Sequence, residues 1–212
     1  MLTVRAFTFN PFSENTYLIT NEKGSCWIVD PGMYDTPEIT GFINLLTKEG
    51  LTPRSIINTH AHIDHIFGVQ ALVDRYSLPF GVHPLEKPVL NYASASATMY
   101  GLRPVTVPPP DLWFDENTPL DLEGDELRLL FTPGHSPGSV CFYYPEGSWL
   151  IGGDVLFAGS IGRSDLPGGN HDTLLRSIRT QLLPLPDNTT IYSGHGPATT
   201  IGDERYTNPF LQ

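Results

Sequence analysis

The sequence predicts a mixed α/β fold in a single domain covering residues 1–212, and three observations carry that expectation. Short strand-like runs alternate with longer stretches of helical periodicity along the chain, the pattern of helices packed on sheets. The connections between them are rich in the 20 Gly and 20 Pro of the chain. A length of 212 residues at 40% hydrophobic content closes one well-buried core but falls short of two ordinary domains.

Taken in order, Leu2 to Phe9, Asn15 to Thr20 and Ser25 to Asp30 read as strands with short connections containing Asn or Gly, an opening antiparallel meander. Thr36-Pro37-Glu38-Ile39 with Phe42, Ile43, Leu45 and Leu46 predicts a helix that has Pro in its first turn and Gly50 at its end. Ser55 to Asn58 follows as a short buried strand. Ile66, Val69, Leu72, Val73 and Tyr76 then recur at helical spacing, so a helix over 66–76 follows. Between Met99 and Pro110, the prolines at 104, 108, 109 and 110 predict a stiff surface crossing without a domain boundary. Leu127 to Phe131, Trp149 to Ile151 and Thr189 to Tyr192 complete the strands. Leu174, Leu175, Ile178 and Leu182 predict an amphipathic helix over 172–182 with Asp172 as its cap.

Composition narrows the function. A net charge of −11 argues against a nucleic-acid partner, because phosphates need a basic footprint. No apolar run approaches the length of a membrane span and Met1 to Phe7 is not a leader, so a cytoplasmic protein with no membrane partner is expected. Cys26 and Cys141 lie inside apolar runs without C-x-x-C spacing and are predicted to be buried free thiols.

The chemistry concentrates in His60-Ala61-His62-Ile63-Asp64-His65. Imidazole and carboxylate are common ligands of zinc and iron, and H-x-H on an extended turn lets two rings reach one ion. Asp64 and His65 point elsewhere once the backbone enters the helix, which suits a second ion. His135, Asp154 and His195 are weak signals singly, since a lone histidine after a strand is commonly a core or surface residue. Their context is shared: each follows a strand in a Gly-containing turn, where backbone approaches closely and loops open a cleft. Ligands following four separate strands can converge on one edge of a sheet core. Asp30 before Pro31-Gly32 reads either as a turn former or as a hydrogen-bond partner of the histidine loop. His83 reads as structural, His171 as a surface residue, and Arg163 with Asp165 as an ion pair that could order the loop after Asp154.

The set His60-x-His62-x-Asp64-His65, His135, Asp154 and His195 resembles that of the metallo-β-lactamase superfamily, in particular its glyoxalase II branch, over essentially the whole chain. Gly162-Arg163-Ser164-Asp165-Leu166-Pro167-Gly168-Gly169 and the segment from Gly194 to Arg205 with Asn208-Pro209-Phe210 are similar to the short glyoxalase II-like hydrolases. The resemblance implies a four-layer αββα sandwich with metals at one edge of the two sheets. It implies one ion on His60, His62 and His135, a second on Asp64, His65 and His195, and Asp154 between them. Long members of that branch grip glutathione with a C-terminal helical region, and the short segment after His195 is not expected to supply it.

Two divalent ions, zinc foremost with iron or manganese as alternatives, can lower the pKa of a shared water and hold it as hydroxide. Asp64 and Asp154 are the catalytic candidates that orient it. A thioester such as S-lactoylglutathione suits a site with no evident general acid, because a thiolate leaves unaided. Lactones are esters of comparable chemistry. A β-lactam is disfavoured, since the resemblance places a cysteine or another residue at the Asp154 position in lactamases. The rival is an oxidoreductase: persulfide dioxygenases resemble the same branch and hold one iron through a facial triad that His60, His135 and Asp154 could supply.

Overall fold

A computed structural model describes residues 1–212. Six strands form the first sheet in sequential order: β1 (Thr3–Phe9), β2 (Glu14–Thr20), β3 (Ser25–Val29), β4 (Thr52–Ile57), β5 (Phe80–Val82) and β6 (Leu112–Trp113). The first three pair antiparallel, as the meander predicts. From β3 onward the strands are parallel, and parallel neighbours need long crossovers. Helices supply them: α1 (Thr36–Lys48), α2 (Val69–Tyr76) and α3 (Lys87–Met99). The second sheet runs β14-β13-β10-β9-β8-β7, with β7 at Leu120–Leu122, β8 at Asp125–Phe131, β9 at Val140–Tyr144 and β10 at Trp149–Gly153. A small hairpin of β11 (Leu156–Phe157) and β12 (Ser160–Ile161) follows β10. Then come α4 (His171–Ser177), β13 (Thr190–Ser193), β14 (Thr199–Thr200) and α5 (Ile201–Thr207).

The period-2 alternation of side chains sorts the apolar residues into three cores. Tyr17, Ile19, Trp27 and Val29 point inward from the first sheet and meet Val140, Phe142, Tyr144, Trp149 and Ile151 of the second. Their neighbours Leu18, Cys26 and Ile28 point outward, under Phe42 and Leu46 of α1 and Leu72 of α2. Cys141, Tyr143 and Leu150 face the other way, under Leu174 of α4 and Ile201 of α5. Each sheet is therefore covered on both faces, and the layers read αββα. That double burial explains why β3, β9 and β10 are continuous apolar runs in the sequence.

Several local expectations are corrected. The helix expected from Ile66 begins at Val69, because Ile63–His65 first closes a 3₁₀ turn that carries Asp64 and His65. The cap of α4 is Asn170, not Asp172: Asn170 is extended and its side chain accepts from the Thr173 N–H at 2.8 Å, while Asp172 sits inside the first turn. The helix expected to reach residue 182 changes to a π-turn at Ile178–Leu182. Helix α3, just before the proline-rich crossing, carries only Ala93 and Ala97 fully buried, too weak an apolar stripe to announce itself. At α1 the expectation holds, with Asp35 accepting from Glu38 N–H at 2.9 Å and Gly50 in the left-handed region at φ 65°.

Candidate metal centre

Four strand ends deliver the predicted residues to one edge of the sandwich. His60, His62, Asp64 and His65 follow β4, His135 follows β8, Asp154 follows β10 and His195 follows β13. The structure brings all seven together. His60, His62 and His135 offer nitrogens within 4.8 Å of one another, as do the donors of Asp64, His65 and His195. Asp154 stands between the clusters: its oxygens lie 3.5 Å from His65 Nε2, 3.5 Å from His135 Nε2 and 3.5 Å from His195 Nε2. His195 Nε2 is also 3.2 Å from Asp64 Oδ2.

Hydrogen bonds fix which nitrogen faces the centre in four of the five rings, all but His62. His135 Nδ1 donates to the Arg163 carbonyl at 2.7 Å and His195 Nδ1 to the Phe12 carbonyl at 3.1 Å. A carbonyl can only accept, so Nε2 is the atom left to face the centre. His65 Nδ1 donates to Asp30 Oδ2 at 3.1 Å. The Thr59 hydroxyl gives its one proton to Asp30 at 2.5 Å and so accepts from His60 Nδ1 at 3.0 Å. Asp30, which also takes the Thr59 N–H at 2.7 Å, is thereby the orienting partner of the histidine loop. Its oxygens are engaged, and the grouping of Asp30 with His60 and His65 is an orienting network, not a third cluster.

The donor set fits divalent ions on an observation independent of its composition. His60 Nε2, His65 Nε2 and Asp154 Oδ1 are buried with no hydrogen-bond partner, although buried polar atoms are nearly always paired. All three point into the two clusters. Burial and neighbouring rings hold His60 neutral, its pKa well below the usual imidazole range, and the same causes push His62 down to about 3. Burial alone would lower His65 and His195, but Asp154 and Asp64 outweigh it; His65 is held well above its ordinary value and His195 rises to about 10. Burial likewise fails against His65 and His195 at Asp154, whose carboxyl stays well below the carboxylate range. The two aspartates thus draw positive charge to this edge, and a cation bound there would compete with protons for the same ring nitrogens.

Close approach is built in at Gly194. A Cβ there would sit 2.8 Å from His65 Cε1 and collide with Asp154 Oδ1. The first sheet reaches across to the same loop: Asn15 N–H donates to the Gly194 carbonyl at 2.7 Å, and Asn15 Nδ2 donates to Gly196 and Ser193 carbonyls at 2.9 and 3.1 Å.

The clusters open into a cavity of about 580 Å³ with apolar walls from Phe12, Tyr100, Phe157, Ile161 and Leu166. The sequence gives no signal for Phe12 and Ser96, which also line the cavity, carry no motif and reach it only through the β1–β2 turn and α3. Arg163 pairs with Asp165 through two contacts of 2.8 Å. His171 is exposed at the start of α4. His83 is buried, stacks on Phe131 at 4.7 Å and accepts from Leu85 N–H at 3.2 Å, a structural residue outside the clusters.

An αββα sandwich with histidines and aspartates at its strand-end edge defines a class of metal-dependent hydrolases. The model of the metallo-β-lactamase superfamily matches residues 9–195, and the chain belongs to that superfamily. It is 41% identical over 98% of its length to a probable metallo-hydrolase of Bacillus subtilis, YqgX, covering 96% of that protein. It is 37% identical over 94% of its length to the hydroxyacylglutathione hydrolase GloC of Haemophilus influenzae, covering 93% of it. Among solved structures, the BLEG-1 B3 metallo-β-lactamase superposes with a TM-score of 0.89 at 42% identity, with 99% of this chain and 100% of that one covered. A di-iron-bound form of TTHA1623 gives 0.88 at 42% identity, with 98% and 100% covered.

Proposed function

We propose that the protein is a dinuclear metal-dependent thioester hydrolase acting on hydroxyacyl thioesters such as S-lactoylglutathione. The observation that carries this reading is the pair of ligand clusters joined at Asp154 on the floor of an apolar cavity. Its likeness to a hydroxyacylglutathione hydrolase over nearly the whole chain supports the substrate class. His60, His62 and His135 would hold one ion and Asp64, His65 and His195 the other, with Asp154 placed between the two clusters. Zinc and iron both suit five histidines and two aspartates, and the di-iron relative keeps iron beside zinc as the metal to test.

When bound, the two ions supply electrostatic activation of a shared water and of the carbonyl oxygen under attack. The rest falls to the chain. Phe12, Tyr100, Phe157 and Ile161 hold the apolar parts of the substrate and exclude bulk water from the carbonyl. Asp64 and Asp154 orient the attacking water, with the bonds to Phe12, Asp30, Thr59 and Arg163 keeping the rings aimed. The leaving thiol, of pKa about 8.5, departs as thiolate without a proton donor.

The test is metal content by mass spectrometry on protein purified without added metal, with thiol release from S-lactoylglutathione. About two ions per chain with thiol release is the expected result. One iron per chain with oxygen uptake on glutathione persulfide would replace this reading with the dioxygenase. The 42% identity to a B3 metallo-β-lactamase supports a second reading, β-lactam hydrolysis, and nitrocefin turnover faster than thioester turnover would promote it.

A further inference from the structure

Glu86 is a carboxylate with no side-chain exposure to speak of, at 0%, and it forms no ion pair. It ends the 3₁₀ turn Pro84–Glu86 and caps α3, far in sequence from every ligand. Burying a charge without a cation is costly, and an apolar side chain would pack under α3 at less expense. What compensates it is a set of donors from two ligand loops. Glu86 Oε2 accepts from Ala61 N–H, the amide between His60 and His62, at 2.8 Å. Glu86 Oε1 accepts from Gly138 N–H at 2.6 Å, and the Ser136 hydroxyl, next to His135, lies 2.6 and 2.8 Å from the two oxygens. Gly138 leaves the space for this approach, since a Cβ there would stand 2.9 Å from Glu86 Cγ.

These bonds join the loop after β4 to the loop after β8, the two that supply His60, His62 and His135. His62 Nδ1 and His135 Nε2 face each other at 2.8 Å across that junction. No bond from Glu86 reaches Asp64, His65 or His195.

We propose that Glu86 is the positioning residue of the first cluster: it sets the spacing between the His60-Ala61-His62 loop and the His135 loop, and with it the affinity of that cluster alone. The inference rests on the dinuclear reading above. Glu86→Gln is the informative variant, because its amide nitrogen must face either the Ala61 or the Gly138 N–H whichever way the amide turns, donor against donor, while the Ser136 hydroxyl can rotate to accept.

Apo protein is titrated with Zn²⁺ against a chromogenic chelator, and His62→Ala identifies which binding step belongs to the first cluster. In Glu86→Gln that step weakens by about 10-fold, the low end of the range for losing a direct partner of a metal ligand, because Glu86 acts on the ligand loops and not on a ligand ring, and the other step is unchanged. Ser136→Ala, which keeps both backbone donors, weakens the same step by less and serves where Glu86→Gln does not fold. Titration with Co²⁺ gives an independent readout, an altered visible spectrum for the first ion only. Equal weakening of both steps, or none, in the variant that folds overturns the positioning role while the dinuclear reading stands. A wild-type protein that takes fewer than two ions removes the dinuclear reading itself, and the inference with it.

Discussion

Cys26 and Cys141 occupy the outward faces of different sheets, one under α1 and the other under α4, so neither can reach the other. Burial pushes both thiols from an ordinary value of 9.0 up to about 12. An unfolded chain gives up these protons above pH 9 while the folded chain keeps them, so the stability they contribute is complete below about pH 9 and is lost as pH rises toward 12. The midpoint of urea unfolding is expected to hold between pH 7 and 8.5 and to fall steadily from pH 9.5. Cys26→Ala with Cys141→Ala, compared by the same titration, gives a shallower fall, and an equal slope would trace the effect to Tyr17, which burial also raises. At this scale the ligands were legible because they are rare residue types at tight spacing. Glu86 was not: one glutamate between Leu85 and Lys87 looks like surface, and only the tertiary contact with Ala61 and Ser136 reveals it.

The β11–β12 hairpin shows what a short element can do when it is tied down from behind. It lends Phe157, Ser160 and Ile161 to the cavity wall yet has only two residues per strand, far below what makes a hairpin stable alone. Helix α5 braces it. Glu204 accepts from Gly159 N–H at 2.9 Å, and Asn208 Nδ2 donates to the Ser160 carbonyl at 3.0 Å and to Glu204 at 2.7 Å. Asn208→Ala removes about 0.5–1.5 kcal/mol of hydrogen bonding, so KM for the thioester should rise about 2–10-fold with kcat and metal content unchanged. A fall in kcat at constant KM would mean that the brace acts on the centre instead. Strands long enough to show alternation or an apolar run, such as β1 and β8, were readable in the sequence within two residues. Two-residue strands and α3 were not, since they are held by their neighbours and carry no pattern of their own.

Over the whole molecule, the seven candidate ligands draw on four strand ends belonging to both sheets, so bound ions would fasten the two halves of the sandwich together. Anything that binds only the folded chain stabilises it: an ion at about 100 times its Kd adds about 2.7 kcal/mol. For 212 residues that corresponds to about 5–10 °C in Tm. Removing metal with a chelator is therefore expected to lower Tm by at least this much in a calorimetric scan, and an unchanged Tm would mean that the clusters hold no ion. The sandwich itself was legible only through the resemblance of its motifs. Periodicity alone gives alternating strands and helices, and it cannot say that β10 and β13 pair in parallel across α4 to bring Asp154 beside His195.

The stitching of β2 to the loop of His195 spans 181 residues between Asn15 and Gly196. A chain leaving the ribosome displays His60, His62, Asp64 and His65 early, but His195 arrives only after β13 has been made, and its seat depends on Asn15 from the opening meander. On the proposed ligand set, a nascent chain offers a passing cation only part of its donors, and the full grip exists only once synthesis has delivered β13 and its loop to β2.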